Sequence, residues 1–322
     1  MNTPLVTVGV VTYNSADFIE ETLNSIYNQD YQNIELIVSD DCSTDNTIEL
    51  CKAWISIHES RFNGAKLVTT DKNTGVSGNS NRALNEAHGE WYKCFDGDDI
   101  LLPNAISSLM DYVINNPEVN HIVTQNPISD DTGYMKTRER NLQLVKYMCG
   151  PTISVDYQYY VISKMLFFSC VTYFAKTSEV RKVGGFDERF PMIEDYPLAI
   201  KMIGAGNKLY YLDIVTVKYR VRNDSISHSQ VDNAIIASNA VKYIVDYKLL
   251  YKYENNNSVW KALLKFSLIL SKLVIVTGNK KDNILSQTFY RLSRLLDPFA
   301  WFMRMMFFKS SRAINASKFK NQ

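Results

Sequence analysis

Phe95-Asp96-Gly97-Asp98-Asp99 places three carboxylates within four residues. The run before it, Glu90-Trp91-Tyr92-Lys93-Cys94-Phe95, reads as a short strand. Leu101-Leu102-Pro103 follows, and Pro103 suits the first turn of a helix. The acids therefore fall where a strand ends and a turn begins, the edge at which open α/β sheets bind ligands. Clustered carboxylates repel one another, and a hard divalent cation that prefers oxygen ligands, Mg²⁺ or Mn²⁺, relieves that repulsion. The same acids taken alone also read as a solvated turn, so the flanking sequence decides.

Upstream, the sequence alternates. Leu5–Thr12 is a β-branched run of the kind buried on both faces of a sheet. A helix is expected from Asn14-Ser15 to about Asn28, capped by one of those two residues, with Phe18, Leu23 and Ile26 inward. Ile34–Ser39 reads as a second strand ending at Asp40-Asp41, followed by a helix over 43–61. Lys66–Thr69 reads as a strand, Ser77–His88 as a helix and Trp91–Phe95 as a strand. Strands alternating with helices predict βαβ units and a mainly parallel sheet. Right-handed crossovers then align Asp41 and Asp96–Asp99 along one sheet edge. Further strands are expected at 119–124, 170–175, 208–212 and 215–221, with helices at 177–183 and 193–203. Residues 127–168 look less regular and are read as an acceptor-side insertion. From Val231 onward the pattern is helical, broken at Asn255-Asn256-Asn257, Gly278 and Pro298.

Charge is unevenly spread. The chain of 322 residues carries a net +1, yet residues 261–322 hold twelve Lys or Arg against Asp282 and Asp297. Such a basic tail implies an anionic partner surface. Five cysteines, an odd number without C-x-x-C spacing, indicate neither a disulfide framework nor a zinc site and fit a reducing, cytoplasmic compartment. Leu5–Val11 is too short for a signal peptide, and no stretch of about 18 uninterrupted apolar residues predicts a transmembrane helix.

Six segments in register over residues 5 to about 225 resemble the family 2 glycosyltransferases, which have the GT-A fold. They are Val10-Val11-Thr12-Tyr13-Asn14, Asp40-Asp41-Cys42-Ser43-Thr44-Asp45, Asn73-Thr74-Gly75-Val76-Ser77, Asp96-Gly97-Asp98-Asp99, Gly184-Gly185-Phe186-Asp187 and Glu194-Asp195. The resemblance implies a catalytic domain over 1–228. Its nucleotide-binding half is 1–100 and its acceptor half 101–228. Residues 229–322 form a helical C-terminal extension.

The resemblance also assigns roles. Thr12, Tyr13 and Asp41 lie against uracil. Tyr13 is able to stack on the base, although a Tyr at a helix start also packs on a core. Asp40 is its structural neighbour. Asp45 reads as a helix-start charge favoured by the dipole. Asn73 and Arg82 belong to the donor site. The family's Ala-Arg-Asn is here Asn79-Ser80-Asn81, so Ser80 stands where a cation is expected, and Arg82 and Lys72 are the candidates to face the diphosphate. Asp96 contacts ribose and metal, and Asp98, with Asp96 or Asp99, holds the ion. Asp195 is the general base and Glu194 an acceptor contact, although two acids at a helix N-terminus are also ordinary dipole complements. Arg220, Arg222 and His228 sit on a loop able to close over the phosphates.

The implied reaction is inverting transfer of a sugar from a UDP-sugar to a hydroxyl of a glycan acceptor, polyprenyl-diphosphate-linked, in surface polysaccharide (capsule or O-antigen) synthesis. A sugar nucleotidyltransferase is the first alternative, but it calls for a Gly-rich, basic loop after the first strand, and residues 13–18 contain neither. A non-catalytic carbohydrate-binding protein on the same fold is the second. The tail repeats a motif of basic residues beside bulky apolar ones, in Trp260–Val276 and Trp301–Phe308, the mark of an interfacial helix. These segments predict peripheral attachment to an anionic membrane surface on the inner face of the cell membrane. Packing against the catalytic domain is the alternative. No nucleic-acid partner is expected.

Overall fold

The computed structural model describes residues 3–125, 128–130, 133–135, 139–163, 170–220 and 258–320. The described residues divide into two compact units, one ending at Arg220 and the other holding Ser258–Lys320.

The first unit begins with β1 (Val6–Thr12), α1 (Ile19–Tyr27), β2 (Ile34–Asp40), α2 (Thr47–His58), β3 (Ala65–Val68), α3 (Gly75–Glu86) and β4 (Trp91–Asp96). It continues with β5 (Ile100–Leu101), α4 (Ala105–Asn115), β6 (His121–Gln125), β7 (Ile128–Asp130), β8 (Gly133–Met135), α5 (Glu139–Met148) and α6 (Val155–Ile162). It closes with β9 (Tyr173–Lys176), α7 (Thr177–Lys182), α8 (Asp195–Gly204), β10 (Leu209–Val215) and β11 (Val217–Arg220).

Seven strands form the main sheet in the order β10-β6-β9-β4-β1-β2-β3. It is parallel except at β9, which runs antiparallel to both β4 and β6. A smaller sheet runs β5-β11-β7-β8. This is the expected α/β architecture of the GT-A type. All seven residues of β1 and of β2 are buried, because their Val/Ile runs carry helices on both faces. Val6, Val10, Ile34, Leu36 and Phe95 meet Ile19, Leu23 and Ile106 in the core.

Register fixes the working edge. Thr12 of β1 pairs with Asp40 of β2, and Val11 pairs with Asp96 of β4. The C-terminal ends of three adjacent parallel strands are thereby level.

Several boundaries differ from the sequence reading. α1 begins at Ile19, because Asn14 is left-handed (φ 49°) and breaks the helical path. No side-chain cap forms there, and Ser15 instead accepts the Phe18 and Ile19 N–H groups through its carbonyl. Phe18 is only half-buried. α2 begins at Thr47, since the Ser43 hydroxyl is engaged with Asp40 and the Asn14 N–H. Pro103 precedes the Asn104 cap of α4 and so lies outside the first turn. Segment 170–175 opens as a 3₁₀ turn, Cys170–Thr172, before β9 starts. The segment expected to be irregular holds β7, β8, α5 and α6 among its described residues.

The second unit is α9 (Ser258–Val276), α10 (Ile284–Leu296) and α11 (Pro298–Lys320). Gly278 (φ 99°) closes α9, and Pro298 occupies the first position of α11, where its missing N–H costs nothing. No helix among the described residues is long and apolar enough to cross a membrane. The expected boundary at 228, Arg222, His228 and the break at 255–257 lie outside the described residues.

Candidate active site

The loop after β1 and the loop after β2 are joined by hydrogen bonds. Asn14 Oδ1 accepts from Thr44 N–H at 2.8 Å, and Ser15 N–H donates to Thr47 Oγ1 at 2.8 Å. Asp45 accepts from Thr47 and from Ala16 N–H. Burial works against its charge, but these bonds outweigh it and hold the carboxyl below its usual range. Thr12 donates to Asp40 Oδ2 at 2.8 Å, and Ser43 occupies the rest of that carboxylate. Asp40 is thus a structural brace. The stitched loops leave the Tyr13 ring 48% exposed at the sheet edge, so it does not pack into the core.

Asp41 is buried and saturated. Its oxygens accept from Thr74 N–H and Oγ1, from Gly75 N–H at 2.7 Å, and from Arg82 at 3.2 Å. The carboxylate therefore caps the N-terminus of α3 from a neighbouring loop, leaving neither oxygen for a base. Arg82 is equally committed. One guanidinium nitrogen donates to Asn79 Oδ1 at 2.9 Å and reaches Ser39 and the Asp40 carbonyl, and the other donates to Thr74 and Asp41. It neutralises Asp41 and does not face open space. Asn73 is exposed and accepts from Gly75 N–H at 3.0 Å. Lys72 is exposed. Ser80 is wholly buried with its hydroxyl against Cys94 Sγ, so a cation at that position would point into the sheet.

At the end of β4 the three acids separate. Asp99 is fully buried, and its Oδ1 accepts from Arg220 N–H at 2.9 Å, while Oδ2 has no hydrogen-bond partner among the described residues. Burial first, then the charges of Asp96 and Asp98, hold its carboxyl well above the ordinary value. Asp96 and Asp98 are half-buried. Burial, with Asp98 and Asp195 beside it, pushes Asp96 up to about 7. The trio does not converge as a three-ligand cage, and no group of three His, Cys, Asp or Glu among the described residues does. A diphosphate-bridging ion needs only one or two carboxylates, and Asp98 with Asp96 meets that need. The mutual repulsion of these acids and the orphaned Asp99 oxygen are features that a bound divalent cation would relieve.

Glu194 precedes α8 and Asp195 opens it. Both are half-buried. Asp195 Oδ1 accepts from Tyr196 N–H at 2.7 Å. Burial pushes the Asp195 carboxyl up to about 6, and burial with the charges of Asp195 and Asp96 raises Glu194 well above its usual range. The pair reaches the edge through a contact that sequence reasoning missed. Gly75 (φ 80°) lies so close to the loop before α8 that a Cβ there would sit 2.3 Å from the Pro191 carbonyl oxygen. Ser77 Oγ donates to the Phe190 carbonyl at 2.7 Å, and Asn81 binds Phe186 and Glu188. The signal lay in the Gly-x-Ser spacing, which permits a close backbone approach.

Arg220, read as a phosphate contact, turns inward. Its Nε donates to the Asp98 carbonyl at 2.9 Å, its terminal nitrogen pairs with Glu21, and its guanidinium stacks 4.8 Å from the Phe18 ring. Lys93, fully buried on β4, donates to the Val171 and Tyr173 carbonyls.

Known proteins share this chain's sequence profile and fold. The sequence profile of Glycosyl transferase family 2 matches residues 7–176, more than half of the chain. The Escherichia coli UDP-Glc:alpha-D-GlcNAc-diphosphoundecaprenol beta-1,3-glucosyltransferase WfaP is 26% identical over 242 residues, which is 74% of this chain and 86% of that protein. Among solved structures, S. aureus TarS 1–349 in complex with UDP-GlcNAc superposes with a TM-score of 0.58 at 18% identity, covering 99% of this chain and 92% of that one. The mannosyltransferase PcManGT from Pyrobaculum calidifontis, in complex with GDP-Man and Mn²⁺, gives 0.54 at 18%, covering 99% and 80%.

Proposed function

The chain belongs to glycosyl transferase family 2, and from that premise we propose that it moves a sugar from a UDP-sugar to a hydroxyl of a polyprenyl-diphosphate-linked glycan, with inversion, in surface polysaccharide synthesis. The observation that carries this reading is the meeting of two halves at one sheet edge. Level strand ends bring Thr12 and Asp96 together, and the Gly75–Pro191 contact delivers Glu194-Asp195 to the same edge. The proposal keeps the division read from the sequence, a catalytic domain over 1–228 followed by a C-terminal region over 229–322, of which the described residues 258–320 are helical.

Tyr13 offers a ring on which uracil stacks, beside Thr12 and Asn73. Asp41 and Arg82 act one step back by fixing the 73–75 loop. Asp195 takes the proton from the acceptor hydroxyl, whose oxygen attacks the anomeric carbon. The bond to the diphosphate breaks on the opposite face, and UDP leaves with that electron pair. A deprotonated carboxylate whose pKa lies near 6 is matched to this task. Glu194, beside the base, is a hydrogen-bonding contact for the acceptor. Mg²⁺ or Mn²⁺ on Asp98 and Asp96 would supply Lewis-acid neutralisation of the departing diphosphate. The glycans of WfaP's diphosphoundecaprenol acceptor and the UDP-GlcNAc of TarS support these choices of substrate class.

The test is a panel of UDP-sugars and GDP-mannose scored for protection against thermal unfolding with and without Mn²⁺, followed by UDP release with and without a lipid-linked acceptor. Metal-dependent protection by one UDP-sugar and acceptor-dependent release are expected. Protection by GDP-mannose alone would refute the donor assignment, and UDP binding without release would favour a non-catalytic binder.

A further inference from the structure

The α9–α10 hairpin is built inside out. In α10 the two buried residues are Ser286 and Ser293, while Ile284, Leu285, Leu292 and Leu295 are between 41 and 79% exposed. The two helices are tied by polar groups. Ser267 Oγ donates to the Ser293 carbonyl at 2.8 Å, Thr277 and Ser286 hydroxyls meet at 2.9 Å, and Asn283 Nδ2 donates to the Thr277 carbonyl at 2.8 Å. Among the described side chains of α9, the buried apolar ones are Leu268 and Val274. A hairpin folded for water does the reverse, since buried Leu and Ile supply the stabilisation. Helices in lipid associate through small and hydroxylated residues, because their apolar side chains gain nothing by leaving the hydrocarbon.

The outward face is ordered. At 100° per residue, Ala262, Phe266, Ile269, Leu273 and Val276 of α9 span about 80° of arc, with exposed Lys265 and Lys272 along one border. On α10, Ile284, Leu295, Leu292 and Leu285 span about 100°, opposite the serines, with exposed Arg291 and Arg294 along the corresponding border. Residues 258–296 carry seven Lys or Arg against Asp282 alone.

We propose that this hairpin is a docking surface for an anionic lipid bilayer, lying in the headgroup region with its apolar arcs inserted and its basic borders on the lipid phosphates. Apolar arcs flanked by cations are what an interfacial helix needs, and each cation near such a surface adds about 1 kcal/mol. The absence of a spanning helix among the described residues fits insertion to one side. A second copy of the chain is the poorer occupant, since a two-fold contact sets the seven cations against themselves. The purpose of the surface, delivery of the site to a lipid-linked acceptor, rests on the reading above, but the binding itself does not.

The experiment is sedimentation of the full chain, without donor or acceptor, with phosphatidylcholine vesicles with and without phosphatidylglycerol. Binding at least tenfold tighter to the anionic vesicles is expected. The double variant Leu292→Gln/Leu295→Gln should weaken that binding at least tenfold while keeping its melting temperature and its UDP-sugar protection. The proposal is overturned if the wild type stays in the supernatant, or if the variant binds as before. A drop in the variant's melting temperature would show that the face is packed inside the protein. A wild-type dimer that the variant splits would assign the face to a second copy. Vesicle binding without UDP-sugar protection would leave this proposal standing and remove the donor reading.

Discussion

His121 should make the catalytic unit lose stability as the solution is acidified from pH 7 to 5. Its ring is fully buried in β6, with Nδ1 2.8 Å from the Tyr173 hydroxyl and Nε2 2.9 Å from the Asn207 carbonyl. The carbonyl can only accept, so Nε2 carries the proton and Nδ1 accepts from Tyr173. Burial lowers the imidazole from 6.5 to about 4, against the smaller upward pull of the Asn207 and Lys208 backbone. The folded value lies below the unfolded one, so between those limits the unfolded chain binds a proton that the folded chain refuses. Stability is whole above 6.5 and falls as pH drops through the window. At pH 5 the unfolded histidine is 1.5 pH units past its midpoint, and at about 1.36 kcal/mol per unit the loss is about 2 kcal/mol. For a unit of this size that lowers the melting temperature by roughly 4–8 °C. Other groups titrate over the same range, so the assay is denaturant unfolding of wild type and His121→Phe at both pH values. The variant starts weaker, having lost the hydrogen bonds to Tyr173 and Asn207, but should lose about 2 kcal/mol less on acidification. Equal losses in the two proteins, or an imidazole midpoint near 6.5 in the folded chain, would refute the reasoning. Because Asn207 lies just beyond α8, the acid-loosened region adjoins the helix that presents Asp195.

Asp195→Asn should cut turnover by roughly 10²–10⁴-fold with UDP affinity little changed, and wild-type kcat/KM should fall below about pH 6, where the base becomes protonated. Steady-state rates alongside UDP titration calorimetry check both. Asp98→Ala should abolish metal-dependent protection by UDP while the melting temperature without ligand stays put; unchanged protection in that variant would move the metal elsewhere. Asp41→Ala should destabilise by about 3 kcal/mol, because it strands a mostly buried guanidinium and uncaps α3; a normal melting curve with a raised donor KM would return Asp41 to the base pocket. Gly75→Ala, placing a Cβ 2.3 Å from the Pro191 oxygen at φ 80°, should cost about 1–3 kcal/mol and lower turnover together with stability, read from melting curves and rates on the same preparation.

The strands and their order of chemistry were legible because they depend on short-range pattern. Val6–Thr12 is β-branched at every position but Gly9, Ile34–Asp40 carries the apolar Ile34, Leu36, Ile37 and Val38, and Asp96-Gly97-Asp98-Asp99 follows a third strand. What misled was the state of individual side chains. Asp41 looked free to meet a nucleobase, yet its oxygens are spent on Thr74 and Gly75, 33 and 34 residues away. Arg82 looked like a phosphate clamp, yet it is spent on Asp41 and Asn79. Which hydrogen-bond capacity is left over depends on contacts between distant segments, and periodicity carries no record of them. The glycines tell the same story from the other side. Gly75 was visible as part of a motif, but only the Pro191 loop packed against it shows why a side chain is excluded.

One consequence concerns charge balance. Arg82 and Arg220 both stand near the strand-end edge, and each is tied to protein acceptors. Lys93 lies beneath that edge and is bound to the Val171 and Tyr173 carbonyls. Ser80, where the family places a cation, is buried against Cys94. Of the candidate cations read from the sequence, Lys72 is the one among the described residues that is exposed with no such tie. A donor diphosphate brought to this edge would meet mainly the carboxylates of Asp96 and Asp98, an arrangement that repels it unless a divalent ion intervenes. An edge this poor in uncommitted positive charge should therefore bind the nucleoside diphosphate weakly when metal is chelated, while the uncharged nucleoside, which lacks the phosphates, should bind as well with chelator as without.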